Sequence, residues 1–422
     1  MNKKQVVNWL QNLVLVGLTV SAAFLITKFS VLDGVLSGQM RSLLSLPESS
    51  VSAGGNTTGE AIATVHLAVT DEIEYGRYTE VNLPVSGELF RSLVPLLKEA
   101  IGSAVPGEKV QDSVFRAAMQ TPGIYVDLTT SLPLGCVAAW LGEEYPGEGN
   151  VRSFALTTDE ETATLFLLDE KGQITCCRTA LTSVAVSELT ATFASNGGQL
   201  AFESGYDTLL PYTVLVGETP AAPDVRAALP SGYSAYNLLT ALDFNAHTNF
   251  RYTESSGVEV VMQTPRTLRI GKDGTVSYST AGEVTSELYQ VTASGESATL
   301  AEALEGACAI ASALTLGTDA SALTLESVEQ TETGWIVAFG YHVNGMKVRL
   351  GEDRSALRIV VTGDAVTEFE YYCRAYTLLE QSAVLLPPTM AVAIASLHTG
   401  AELSLVYVDG GTEVLEACWL AE

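Results

Sequence analysis

Four histidines, His66, His247, His342 and His398, are the chain's whole stock of the side chain most used for proton transfer near neutral pH. None stands with another ligand type in a known metal spacing, and the His-Glu-x-x-His zinc motif is absent. His66 and His342 lie in strand-like runs, and His398 closes a helical one. His247, in "DFNAHTNFRY", is carried by a polar loop and is the strongest site candidate of the four. The acid clusters Asp71-Glu72-Glu74, Glu143-Glu144 and Asp159-Glu160-Glu161 have the chemistry to hold a hard cation or share a proton. Consecutive acids in loops more simply form a solvated face, and no twelve-residue calcium loop fits them. No G-x-S-x-G elbow, phosphate-binding glycine loop or S-x-x-K element occurs. The expectation is a chain that binds rather than catalyses, with no cofactor.

The residues best suited to binding are basic. Arg251, Arg266 and Arg269 fall within one segment of an otherwise acidic protein. On a wet strand face they would form a docking patch for an acidic partner or a cell-wall polymer. The alternative is pairing with Glu254 and Glu259, a surface effect of little energetic weight.

Strands must position these arginines. In "RTLRIGKDGTVSYS" (266–279) Leu268 and Ile270 share one face with Arg266, while Thr267 and Arg269 share the other. Similar strand–turn–strand units recur at 163–180 and 356–373. Between them lie helical stretches. "SGELFRSLVPLLKEAI" aligns Leu89, Leu93, Leu97 and Ala100, with Pro95 inside, and "EKVQDSVFRAAM" reads as a second helix. Ser234 is a candidate N-cap for "AYNLLTALDF". Thr299 and Glu302 form a capping box before "LAEALEGACAIASAL", which aligns Leu300, Leu304, Cys308 and Ala311. The pattern predicts an α+β protein: antiparallel sheets with helices packed on one face.

A chain of 422 residues is long for one core and suggests several units. With 47% apolar and only 17% charged residues the composition is that of a folded chain. A net charge of −27 argues against nucleic acid as partner. The charge is uneven: residues 1–30 hold Lys3, Lys4 and Lys28 and no acid, so they carry +3 and the rest −30. "VVNWLQNLVLVGLTVSAAFLIT" (6–27) has the roughly 20 apolar residues needed to cross a hydrocarbon core. A cleaved signal peptide is the alternative, but Phe24-Leu25-Ile26 carries the apolar run past its small-residue site. The predicted arrangement is a cytoplasmic tail (1–5), a transmembrane anchor (6–28) and a linker (29–60). A first extracytoplasmic module (61–216), an interdomain linker (217–230) rich in proline and a second module (231–422) follow. Lys3 and Lys4 put the N-terminus on the cytoplasmic side of the cell membrane and the bulk of the chain outside. Gly17 and Ser21, four apart, form a small-residue face on which a partner helix could pack. The six cysteines make no metal spacing; most read as small core residues, with one or two long-range disulfides left open.

The anchor, the acidic exterior and the run "LLTALDFNAHTNFRYTESSGVEVVMQTPRTLRIGKDGTVSYS" together resemble the YycH/YycI proteins. These are accessory regulators encoded with an essential two-component system of low-GC Gram-positive bacteria. "VAFGYHVNGMKVRLGEDRSALRIVVTGDAVTEFEYY" looks like the same family's hairpin-rich C-terminal region. The resemblance covers residues 231–422 and implies a membrane sensor histidine kinase as partner, contacted partly through the anchor, and a paralogous regulator as a further one. A cell-envelope binding factor, holding a wall polymer or peptide between its modules, is the alternative.

Overall fold

The computed structural model describes residues 62–421, except 72–76, 146, 148, 292–296, 317–320 and 352–353. The expected anchor, with Gly17 and Ser21, and the linker to residue 60 lie outside the described residues. Among the described residues no helix is long and apolar enough to cross a membrane. The fold is α+β with mostly antiparallel sheets.

The N-terminal half comprises β1 (Thr64–Thr70), β2 (Tyr78–Pro84), α1 (Glu88–Ser103), β3 (Val105–Val110), α2 (Asp112–Ala118) and β4 (Gly123–Pro133). These are followed by α3 (Leu134–Trp140), β5 (Asn150–Thr158), β6 (Thr162–Leu168), β7 (Ile174–Thr182), α4 (Ser183–Thr190), β8 (Gln199–Leu200) and β9 (Val214–Leu215). The first seven strands form one antiparallel sheet in the order β2-β1-β4-β5-β6-β7-β3. Alternation splits its side chains between two faces. Val65, Leu67, Ile124, Val126 and Phe154 meet Phe90, Leu93 and Leu97 of α1 in the main core. Trp140 of α3 stacks on Phe90 at 5.6 Å between ring centroids.

The opposite face is also covered. Phe115 of α2 and Met119 pack on Tyr125 and Phe166 together with Leu200 and Val214. Helices therefore lie on both faces of this sheet, where one face was expected. The adjacent Cys176 and Cys177 divide as strand alternation requires: Cys177 enters the main core and Cys176 packs against the second cluster. The helix expected over 108–119 is shorter, because 105–110 pairs with β7 as an edge strand and only Asp112–Ala118 is helical.

The C-terminal half comprises β10 (Pro223–Ala228), α5 (Ala235–Ala241), β11 (Arg251–Thr253), β12 (Glu259–Gln263), β13 (Arg266–Ile270), β14 (Thr275–Thr280) and α6 (Leu300–Ala313). Next come β15 (Leu323–Gln330), β16 (Gly334–Val343), β17 (Met346–Leu350), β18 (Leu357–Thr362), β19 (Ala365–Tyr372) and β20 (Ala375–Ser382). The chain continues with α7 (Pro388–Ala395), β21 (Leu403–Asp409), β22 (Val414–Leu415) and β23 (Ala417–Ala421). An 11-stranded sheet runs β11-β12-β13-β14-β19-β18-β16-β17-β21-β23, with β15 on the other side of β16. Among the described residues of this sheet, only the β17–β21 strand pair is parallel.

The caps read from the sequence form. Ser234 accepts from Asn237 N at the head of α5, and Thr299 and Glu302 close a capping box on α6. α6 buries Leu304, Cys308 and Ala311 against the sheet's inner face. There Tyr278 stacks between Tyr289 and Phe369, at 4.3 and 5.3 Å.

The segment 217–230, expected to link two modules, contains β10, which pairs with β20 and β22 from the C-terminal half. The two halves share one continuous apolar core, which includes Cys136 of α3 and Cys308 of α6. None of the six cysteines forms a disulfide. Polar bonds also cross the junction: Asn82 Nδ2 donates to Leu405 O at 3.1 Å, Leu210 N to Ala401 O at 2.9 Å, and Thr130 Oγ1 to Glu326 O.

Candidate functional site

The three arginines singled out by the sequence part company in the fold. Arg269, exposed on β13, donates to Glu254 Oε1 at 2.6 Å, and Arg251 on β11 lies 3.7 Å from Glu259. These are the carboxylates that the sequence offers them. Arg266 is not on the wet face. It is buried beside Leu268 and Ile270, with its guanidinium carbon 4.7 Å from the Phe244 ring centroid and 5.4 Å from that of Tyr289. Its Nη2 donates to Asp243 O at 2.9 Å. Strand alternation fixes this: the parity that buries Leu268 buries Arg266 too, and its planar cation is accommodated by aromatic faces. The predicted patch therefore loses one member, and Gly17 and Ser21 remain outside the described residues.

Sequence reasoning passes over two other arginines. Along the outer face of the large sheet Arg269, Ser277, Glu370, Arg358, Ala338 and Ser327 stand opposite one another in register, from β13 across to β15. On the other side the row continues through Val260 to Tyr252. Arg269, Arg358 and Arg354 line a groove of about 550 Å³ on this face, with Ser277, Glu370 and Tyr372. Arg354 lies 5.6 Å from the Tyr372 ring centroid, and Arg374 stacks on the same ring at 3.9 Å. Among the described residues neither Arg354 nor Arg358 makes an ion pair. The alternation of Leu357, Arg358 and Ile359 already assigns Arg358 to the wet face; its neighbours depend on strand order, which no local pattern carries.

At one end of this outer face Phe250 (73% exposed), Tyr252 (50%) and Met262 (44%) stand open to solvent. They belong to the sheet's β11–β12 end, where Met262 N donates to Phe250 O at 2.9 Å.

A second cavity, of about 1180 Å³, opens between the halves. Thr129, Ser131, Asn150 and Arg152 line it from the N-terminal half, and Gln330 and Trp335 from the other. Thr129 adopts a φ of 61° where the β4–β5 register slips, and its N–H bonds Asp127 Oδ1 at 2.8 Å. That irregularity turns 129–131 towards β15. Ser327 and Glu329 of β15 line both this cavity and the arginine groove.

Behind the cavity lies a charged joint. Arg152 Nε donates to Asp127 Oδ1 at 2.8 Å and its Nη2 to Glu402 Oε1 at 2.6 Å. Burial acts to raise both carboxyls, but the outcomes differ. Arg152 and then His66 hold Asp127 below its usual range. Glu402, buried and repelled by Asp127, is raised to about 7 despite Arg152. His66, directly opposite Asp127 across the β1–β4 pair, is buried and lowered; its Nδ1 accepts from Asn82 N at 3.0 Å. Lys347 pairs with Glu326 nearby.

His342 is buried beside Thr324 and lowered to about 3, by burial first and Lys347 second. His247 lies 6.1 Å from Tyr236, ring to ring. Among the described residues no group of three His, Cys, Asp or Glu side chains could hold a metal ion.

Compared with known proteins, the chain matches no family model, no curated protein and no solved structure.

Proposed function

We propose that this chain is a non-enzymatic binding protein, held at the cell membrane by residues 6–28, that modulates a sensor histidine kinase by contact. The observation that supports it is the outer face of the large sheet. One side of that sheet is closed by α6 and the core, while the other carries a groove with two arginines that make no ion pair among the described residues and, at one end of the face, three exposed apolar side chains. Antiparallel sheets commonly leave one face to water, but an exposed apolar cluster on the same face as a charged groove is the chemistry of a contact surface. The resemblance of residues 231–422 to the YycH/YycI proteins supports the kinase as the partner, with Gly17 and Ser21 as the helix-packing contact in the bilayer. Coupling then requires that the chain bind one kinase state more tightly than the other.

The test is reconstitution of the full chain with a membrane sensor histidine kinase in liposomes, reading autophosphorylation. A change in rate that disappears when residues 1–28 are removed is the expected result. Equal rates with and without the chain, for every sensor kinase of the source cell, would refute the reading.

The cavity between the halves favours a second reading, an envelope factor that holds a wall polymer or peptide there. Its lining of Thr129, Ser131, Asn150, Gln330 and Trp335 offers hydroxyls, amides and one indole. Such a factor keeps its affinity when the anchor is removed, which separates the two readings.

A further inference from the structure

We propose that the groove on the outer face of the 11-stranded sheet seats an extended acidic segment of a partner polypeptide. Its carboxylates meet Arg354 and Arg358, and an apolar side chain rests on Phe250, Tyr252 and Met262. The inference rests on the reading that the chain works by contact, and it names the surface and the chemistry of what binds there.

Charge is the first argument. The protein has 49 acidic residues against 22 lysines and arginines, so carboxylates are abundant, yet Arg354 and Arg358 have no ion-pair partner among the described residues. Glu370 stands directly opposite Arg358 in the β18–β19 register without closing a salt bridge. Both guanidinium groups are exposed and line one groove with Arg269, whose orientation is held by Glu254. A guanidinium fork matches a carboxylate through two parallel hydrogen bonds.

The two acids in the groove narrow the choice of ligand. Glu329 and Glu370 share the lining with the arginines. A phosphate polymer, charged at every repeat, meets them as well as the cations. An extended polypeptide turns alternate side chains to the sheet and can set its acids over Arg354 and Arg358 alone.

Length and polarity agree. Tyr252, Val260, Arg269, Ser277, Glu370 and Arg358 are consecutive across six strands. Five inter-strand steps of about 4.8 Å span roughly 24 Å, about seven extended residues. Tyr252 of the apolar contact and Arg358 thus stand at opposite ends of one short segment's reach.

The experiment titrates the full chain, in detergent micelles, with fluorescein-labelled Phe-Ser-Ser-Ser-Glu-Ser-Glu, whose two acids fall at the end away from the Phe, and reads fluorescence anisotropy. Its Glu-to-Gln counterpart and inorganic polyphosphate are run in parallel. The expected result is saturable binding of the Glu peptide, weakened about tenfold or more both in the Gln peptide and in Arg354→Ala/Arg358→Ala. A second variant, Phe250→Ser/Met262→Ser, is expected to weaken it independently. Because all four side chains are exposed, melting by circular dichroism is expected to match the parent protein. No saturable binding, equal affinity in the arginine variant, or tighter binding of polyphosphate than of the peptide would each overturn the proposal. A kinase effect that persists without peptide binding sinks this groove alone; peptide binding without any kinase effect sinks the regulatory reading alone.

Discussion

Arg152 and Glu402, 250 residues apart in the chain, are joined by a 2.6 Å hydrogen bond, and the same guanidinium holds Asp127 at 2.8 Å. Arg152 and Asp127 belong to the N-terminal half and Glu402 to the C-terminal half. One side chain therefore fastens the two halves beside the cavity that opens between them. The three side chains are mostly buried, with relative exposures of 27% for Arg152, 5% for Asp127 and 20% for Glu402.

Removing Arg152 leaves two carboxylates facing each other with little water. Breaking one partner of a buried pair typically costs about 3 kcal/mol, more than the intact pair contributes against apolar replacements. Arg152→Ala is expected to lower unfolding stability by about that much in urea titrations. Asp127→Asn added to it is expected to restore part of the loss, because one of the stranded charges is removed. A loss under about 0.5 kcal/mol in the single variant contradicts the joint.

Glu402 makes the joint pH-dependent. Its folded pKa is raised to about 7 from 4.5 by burial and Asp127, so between those values the folded state holds a proton that the unfolded state releases. Stability from this group is therefore full below about pH 4.5 and lost as pH rises through 7. His66, lowered by burial, contributes with the opposite slope below its ordinary pKa of 6.5. The comparison of the parent chain with Glu402→Gln cancels that slope. The parent is expected to lose stability relative to the variant from pH 4.5 to pH 7 and to run parallel above. A difference independent of pH refutes the assignment.

The three arginines of the predicted patch separate by stability. Arg266 is clamped over Phe244 and Tyr289, and its loss strips a cation–π contact and opens a cavity. Arg266→Ala is expected to destabilise the chain by about 2 kcal/mol or more, while Arg251→Ala and Arg269→Ala stay within about 1 kcal/mol. Equal effects from all three, read by denaturant midpoints, contradict the burial of Arg266.

The α6 cap gives a local check on the fold. Thr299 Oγ1 accepts from Glu302 N, and Glu302 Oε2 receives Thr299 N at 2.8 Å. Thr299→Ala is expected to cost about 1 kcal/mol, and a neutral result contradicts the capping box.

What could be read from the residues and what could not follow the range of the interactions. The α6 box and stripe and the β13–β14 hairpin are local, and both formed as their spacing implies. Arg266 shows pattern overriding residue type: its parity with Leu268 and Ile270 was visible, while its charge suggested solvent. β10 was hidden because Pro223 opens it, Pro220 and Pro230 flank it, and its partners come from β20 and β22, far along the chain. The Arg152 joint and the row from Tyr252 to Ser327 depend on strand order and register, so no window of the sequence contains them. The cover over the second face of the first sheet is hidden in the same way, since Leu200 and Val214 come from short strands that pair only with each other.

We propose that the chain acts by touching a membrane sensor histidine kinase while tethered at its N-terminus. Autophosphorylation of that kinase in liposomes, with the full chain and with residues 1–28 removed, tests it most directly. The expected result is a changed rate with the tethered chain and the kinase's own rate with the truncated one. An unchanged rate with the tethered chain, or the same shift from both forms, contradicts it.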